Sequence, residues 1–261
     1  MHSLPKIDRI DVGGINVSAA SLDEAADWVA AAVAARARTY VCVRDAHGII
    51  AARHNPALRE AHNAAGMVTP DGMPIVWTLR ALGARNVTRV YGPDLMLAVS
   101  DRMRATGARH YYFGGAPGLA ETLAAKLSDR FPGLAVAGTF SPPFREQTDA
   151  ELADACSAID ATGADIVWVG LSTPKQELWM ARARPHLAAP VLIGVGAAFD
   201  FHAGTKRQAP LWMQRNGLEW LFRVASEPKR LGRRYLKTVP LFGLLAVSLV
   251  LRARLGLRTA G

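Results

Sequence analysis

The apolar positions of this chain fall into two alternating rhythms. Short runs rich in β-branched and aromatic residues, at 40–43, 110–113, 134–140, 165–171 and 191–195, predict strands. Between them, apolar residues recur at helical spacing. After Ser21-Leu-Asp-Glu24, a capping box, come Ala25, Trp28, Val29, Ala32 and Val33 on one face of a helix. Residues 7–18 predict a small β-hairpin turning at Gly13-Gly14. Strands separated by helices of this length need right-handed crossovers. The expected fold is therefore α/β, a Rossmann-like, largely parallel sheet with helices on both faces.

The rhythm ends near Lys206 to Pro210, where aromatic, apolar and basic residues take over. A chain of 261 residues can bury one substantial core. The expected division is an α/β domain over 1–206 and a short helical C-terminal appendage over 207–261. Charge sharpens this picture. Of a formal net charge of +9, the stretch from Arg223 onward carries +8: nine basic residues (Arg223, Lys229, Arg230, Arg233, Arg234, Lys237, Arg252, Arg254, Arg258) against Glu227, so 9 − 1 = 8. The same stretch encloses the apolar run Val239 to Leu251. Basic and apolar residues together favour an anionic membrane surface over nucleic acid. Interrupted by Pro240 and Gly243, the run reads as too short to span a bilayer and is expected to lie in the interface or re-enter it. The amino terminus lacks the apolar core of a secretory signal, and Cys42 and Cys156 have no metal-ligand spacing. The expectation is a peripheral protein with reduced thiols at the cytoplasmic face of the inner membrane.

In open parallel sheets, ligands bind beyond the carboxyl ends of the strands. Three strand-end segments carry suitable chemistry. Phe113-Gly-Gly-Ala-Pro-Gly118 could bring backbone amides to a diphosphate, although a plain tight turn explains Gly114 and Gly115 as well. Gly170-Leu-Ser-Thr-Pro-Lys-Gln-Glu177 gathers Ser172, Lys175 and Gln176, with helix capping by Ser172 or Thr173 as the plainer account. Gly194-Val-Gly-Ala-Ala-Phe-Asp-Phe-His-Ala-Gly204 sets Asp200 among small residues suited to a pocket or to tight packing. Asp71 sits in a Pro-Asp-Gly turn, and Asp94, after Arg89 and in Tyr91-Gly-Pro-Asp94, is expected to cap a helix. No D-x-D pair, H-x-x-x-H pair, G-x-S-x-G elbow or P-loop lysine occurs. No cofactor or metal is expected, and arginines are the available counter-charge for a leaving diphosphate. A nucleotide-dependent oxidoreductase would need the full glycine fingerprint. A non-catalytic membrane adaptor would leave the strand-end polar groups idle.

The segments Pro70-Asp-Gly-Met, Arg89-Val-Tyr-Gly-Pro-Asp-Leu95, Phe113 to Gly118, Gly170 to Glu177, Gly194 to Phe201, Arg207-Gln-Ala-Pro210 and Gly217 to Tyr235 occur in one order. Together they resemble the WecG/TagA/CpsF glycosyltransferases of bacterial surface polysaccharide and teichoic acid synthesis, with Val41 to Gly48 closest in flavour to the xanthan-type members. The resemblance implies inverting, metal-independent transfer from a nucleoside-diphosphate sugar, usually a UDP-sugar, to a polyprenyl-diphosphate-linked glycan acceptor. It implies Asp71 as general base, Arg89 as substrate-site arginine, and a binding role for Gln176. Arg223, Arg230 and Arg233 fall on the phosphate-directed arginines, at spacings of seven and three that predict one helical face provided Pro228 begins or kinks the second segment without turning it away. Where the family often has a Thr-x-Asn pair near the sugar, this chain has Val43 and Asp45. That departure speaks against an N-acetylmannosamine donor and leaves hexose and uronic acid donors open, so the expected enzyme is a hexosyl- or N-acetylhexosaminyl-type transferase.

Overall fold

The computed structural model describes residues 4–256, apart from the side chain of Arg230. The chain runs β1 (Arg9–Asp11), β2 (Asn16–Ser18), α1 (Leu22–Ala34), β3 (Thr39–Arg44), α2 (Ala46–Arg53), α3 (Pro56–Asn63), β4 (Met67–Pro70), α4 (Met73–Ala81), α5 (Gly92–Met103) and β5 (Arg109–Gly114). It continues α6 (Leu119–Arg130), β6 (Ala135–Phe140), α7 (Asp149–Ala161), β7 (Ile166–Gly170), α8 (Lys175–Ala183) and β8 (Val191–Gly194). After the last strand come α9 (Ala198–Ala203), α10 (Leu211–Arg215), α11 (Glu219–Ser226) and α12 (Pro228–Arg254).

Six strands form one parallel sheet in the order β4-β3-β8-β7-β5-β6. β1 and β2 make the expected antiparallel hairpin. The period-two pattern of β3 divides its side chains between two cores. Val41 and Val43 face the layer that holds Trp28 of α1, Leu95 and Val99 of α5, Leu123 of α6 and Phe199 of α9. Tyr40 and Cys42 face the layer that holds Ile49, Leu58, Leu79, Ile159 and Met180, from α2, α3, α4, α7 and α8. Both cysteines are free and buried. The capping box of α1 is formed, with Ser21 Oγ accepting from the Glu24 amide and Glu24 accepting from the Ser21 amide.

Three local expectations change. The run before Asp71 is a fourth strand, β4; as an edge strand it pairs, among the described residues, only with β3, so a terminal Pro70 without an N–H is tolerated. Asp94 does not cap α5. The cap position is Tyr91, and Asp94 lies in the first turn, where the positive helix end favours a carboxylate. Neither Ser172 nor Thr173 caps α8; Pro174 holds that position after a cis Thr173–Pro174 bond, and Ser172 adopts φ 63°.

The largest difference lies at the C-terminus. Pro240 and Gly243 do not break the apolar run, because α12 continues through both over 27 residues. Pro240 removes only one backbone donor from the ladder. Within α12, Leu231–Arg254 is long and apolar enough to cross a membrane by length and composition. It is nonetheless packed along the α/β domain. Leu231, Tyr235, Thr238, Phe242 and Leu249 are buried, and Phe242 and Leu249 belong to the same core layer as Ile49 and Leu79. The opposite side exposes Leu236, Leu241, Leu244, Val247, Leu251 and Leu255. Two-sided apolarity, one side in the core and one outside, is the signature of this helix.

Candidate active site

The sheet order creates the site. From β3 the chain steps outward to β4, crosses to β5 and β6 at the far side, and returns through β7 to β8, which lies against β3. At this reversal the crossovers diverge and leave a crevice beyond the carboxyl ends. A cavity of about 590 Å³ occupies it, walled by strand-end residues such as Val43, Asp45, Asp71, Ser172 and Gly196. Lys206, Arg207, Arg223 and Arg234 close it from the appendage side. A second, smaller cavity of about 90 Å³ adjoins it, with Met73, Pro74, Trp220, Tyr235 and Val239 on its walls. Asp45, Asp71 and Arg223 line both.

Asp71 reaches the junction because its amide donates to the Arg44 carbonyl at 2.8 Å, which extends the β3–β4 pairing by one residue and turns the chain. Its Oδ1 is buried with no hydrogen-bond partner among the described residues, and Arg89 Nη2 stands 3.8 Å away. Burial raises the Asp71 carboxyl to about 8; Arg89 opposes this, while the Glu219 and Asp45 carboxylates add to it. The side chain is still 21% exposed, toward the cavities.

Arg89 is held by groups from three directions. Its guanidinium donates to Gln214 Oε1 at 2.9 Å and to Glu219 Oε2, and lies 3.9 Å over the ring of Tyr91. Glu219 is the hub: its Oε1 also accepts from Tyr91 Oη at 3.3 Å and pairs with Arg223 Nη2 at 2.9 Å. Arg223 stands 5.6 Å over the ring of Phe201 as well. One carboxylate of α11 therefore ties two arginines and a tyrosine around Asp71.

Asp45 caps α2, with Oδ1 accepting from the Gly48 amide at 2.8 Å, and Oδ2 lies 3.7 Å from Arg234 of α12. Burial works against its ionisation, but Arg234 and then Arg44 outweigh it and hold the carboxyl at about 2. Asp45 is thus a fixed anion beside a carboxyl that titrates far higher. His47 Nδ1 and Thr238 Oγ1, 3.3 Å apart, make a second tie between α2 and α12.

The structure brings Asp45, Asp71, Ser172, Gln176, Asp200 and Arg223 to the large cavity and Arg89 to the small one. It does not bring the rest. Gly114 and Gly115 line neither cavity, because β8 and β7 stand between β5 and β3. A side chain at Gly114 would meet the Gly170 backbone 2.6 Å away, and the Gly115 amide donates to the Gly170 carbonyl. Close approach of β5 to β7 accounts for Gly114, and a left-handed φ of 81° with Leu119 packed against it accounts for Gly115. Lys175 turns away and sits 4.0 Å over the ring of Phe144. Arg223 and Arg233 do not share the single face expected of them: α11 ends at Ser226, a separate helix starts at Pro228, and that second segment turns Arg233 away from the cavity that Arg223 lines. Arg233 is exposed and flanks His47, Ile50 and His54 outside the site, and the side chain of Arg230 lies outside the described residues. The neighbouring Arg234 faces the cavity instead. Sequence reasoning passed over Arg234, Glu219, Gln214 and Tyr91. Glu219 had one signal, an isolated acid just before a basic and apolar stretch.

Comparison with known proteins gives a chemistry to this geometry. The model of the glycosyl transferase WecG/TagA/CpsF family matches residues 10–258. The chain belongs to this family. It is a glycosyltransferase. One relative, from Bacillus spizizenii, is N-acetylglucosaminyldiphosphoundecaprenol N-acetyl-β-D-mannosaminyltransferase, 29% identical over 179 residues that cover 69% of this chain and 68% of the relative. In the transferase the family segments Pro70 to Met73, Arg89 to Leu95 and Gly217 to Tyr235 converge on the wall between the two cavities.

Proposed function

We propose that this transferase moves a hexosyl, uronosyl or N-acetylhexosaminyl unit, with inversion and without a metal, from a nucleoside-diphosphate sugar, a UDP-sugar first among them, to a glycan on polyprenyl diphosphate. The observation that carries this reading is the position of Asp71 on the wall shared by two adjoining cavities. The larger has the size and the cationic rim, Arg207, Arg223 and Arg234, for a donor diphosphate. The smaller meets α4 and α12 and takes the acceptor end. Inversion needs one in-line attack: Asp71 accepts the proton of the acceptor hydroxyl as its oxygen bonds to the anomeric carbon, and the nucleoside diphosphate departs toward Arg223. The named reaction of the Bacillus relative supports a lipid-diphosphate acceptor. Val43 and Asp45 stand where the family often has Thr-x-Asn, and Asp45 already serves the Gly48 amide and Arg234, so an N-acetylmannosamine donor is disfavoured.

The C-terminal appendage is the membrane anchor in this reading. The exposed stripe Leu236, Leu244, Val247 and Leu251 lies in the interface, with Lys237, Arg252 and Arg254 over anionic headgroups, each basic residue adding about 1 kcal/mol. Packing of the buried side of α12 on α2 keeps the helix in plane and the smaller cavity near the lipid, at the cytoplasmic face. Incubation with a panel of UDP- and GDP-sugars and a synthetic polyprenyl-diphosphate glycan tests the proposal. Transfer of one sugar with inverted anomeric configuration is expected; retained configuration, or no transfer from any donor, overturns it.

A further inference from the structure

At the wall of the large cavity, which Arg44 helps to line, stands a buried ion pair that the chemistry described so far does not use. Arg44, the last residue of β3, and Glu177, in the first turn of α8, pair at 3.0 Å with side-chain exposures of 3% and 0%. Two charges so buried incur a desolvation cost that their attraction barely offsets, and an apolar pair of the same volume is often as stable or more so. A stability role alone therefore explains the pair poorly.

Its connections point elsewhere. Arg44 Nη2 donates to Thr173 Oγ1 at 2.8 Å, and Nε and Nη2 donate to the Val43 carbonyl at 3.1 and 2.8 Å. Glu177 Oε1 accepts from Gln176 Nε2 at 2.8 Å and from Thr173 Oγ1 at 3.3 Å. An ionised carboxylate only accepts, so it holds the amide of Gln176 in one orientation, with Nε2 inward and Oε1 toward Gly196 on the cavity wall. The main-chain carbonyl of Arg44 receives the Asp71 amide. One buried pair thus spans the end of β3, the turn that carries Asp71 and the Ser172–Gln176 wall. The backbone makes room for it: a side chain at Gly48 would fall 2.6 Å from Arg44 Nη1.

We propose that Arg44 and Glu177 are positioning residues, a buried strut that sets the distance between the base on one side of the donor cavity and the polar wall on the other. Neither touches the reacting atoms; they act through Asp71, Thr173 and Gln176. This rests on the reading of the cavity as the donor site, and the experiment separates the two ideas. The variants are Glu177→Gln, which keeps shape and removes the charge, and Arg44→Met/Glu177→Leu, which replaces the pair by apolar groups of similar size. Melting temperature, UDP and GDP binding, amide hydrogen exchange at Asp71 and 172–177, and transfer kinetics are measured on the full chain. The double variant is expected to melt at or above the parent temperature, to bind the nucleoside diphosphate within about threefold, to exchange the Asp71 and 172–177 amides at least tenfold faster, and to lose at least tenfold in kcat with KM little changed. Glu177→Gln is expected to lose kcat in the same sense. Parent exchange rates at these amides in a folded variant overturn the strut, whatever the reaction catalysed. Failure of the parent itself to bind UDP or GDP overturns the donor reading while the exchange result still decides the strut. If the double variant does not fold, Glu177→Gln with parent kcat and parent exchange rates overturns it equally.

Discussion

If Asp71 removes the acceptor proton, kcat/KM in the substrate-free limit must follow ionisation of a carboxyl that burial has moved to about 8. At pH 7 only roughly a tenth of such a carboxyl is ionised. Rate should therefore climb about tenfold between pH 7 and a plateau above pH 9. The perturbation that isolates the cause is Glu219→Gln. It removes an anion that raises Asp71, and it also frees Arg89, now shared between Glu219 and Asp71 at 3.8 Å, to pair with Asp71 alone. Both effects point down. A fall of about one unit, worth ~1.4 kcal/mol, brings the ionised fraction at pH 7 to about half and multiplies the relative rate there about fivefold against the variant's own plateau. The assay is donor turnover from pH 6 to 10 in detergent, read as a midpoint so that loss of plateau height does not confuse it. A pH-independent rate across that range, or a midpoint moved upward in Glu219→Gln, would refute the reasoning. Stability runs the opposite way with pH: a folded value of about 8 above the unfolded value of 3.8 contributes stability that is fully present below about pH 4 and is lost as the pH rises through about 8. Asp71→Asn should accordingly flatten part of the decline in melting temperature over that interval.

Asp71→Asn should also keep the turn, fold normally and lose transfer by at least 10²-fold, checked by circular dichroism and product formation. Arg223→Ala and Arg234→Ala should each lower kcat more than tenfold, an increase of about 1.4 kcal/mol in the barrier, whereas Arg233→Ala should not; equal losses at Arg233 and Arg234 would contradict the observed face of α12. Transfer should survive EDTA, since the arginines supply the positive charge toward the leaving diphosphate, and loss restored by magnesium would defeat that mechanism. Leu244→Asp/Leu251→Asp should release the protein from anionic vesicles in a flotation assay while detergent-solubilised turnover stays at the parent level.

The chain's own order of residues determined the βα rhythm, because a strand buried on both faces needs a continuous apolar run and a covering helix needs apolar residues three and four apart. Both are local patterns. Five of the six parallel strands, the hairpin at Gly13-Gly14 and the capping box at Ser21 were legible for that reason, and the turn at Asp71 stood out once the family segments were recognised. β4 was not, since four residues ending in proline carry too little pattern to outweigh a turn signal. Which strand ends share a crevice is set by strand order, and strand order is a long-range property. The order β4-β3-β8-β7-β5-β6 joins Asp45, Asp71 and Gln176 and leaves Gly114 and Gly115 outside, although all five stand at similar strand-end positions in the sequence, while Lys175, next to Gln176 in the first turn of α8, is turned away toward Phe144. The arginines show the same division. Their abundance was plain in the sequence, but a break between Ser226 and Pro228 and the docking of α12 on α2 chose Arg234 over Arg233. Only packing could make that choice, because adjacent residues on a helix point about 100° apart and the neighbour that covers one of them comes from a distant part of the chain.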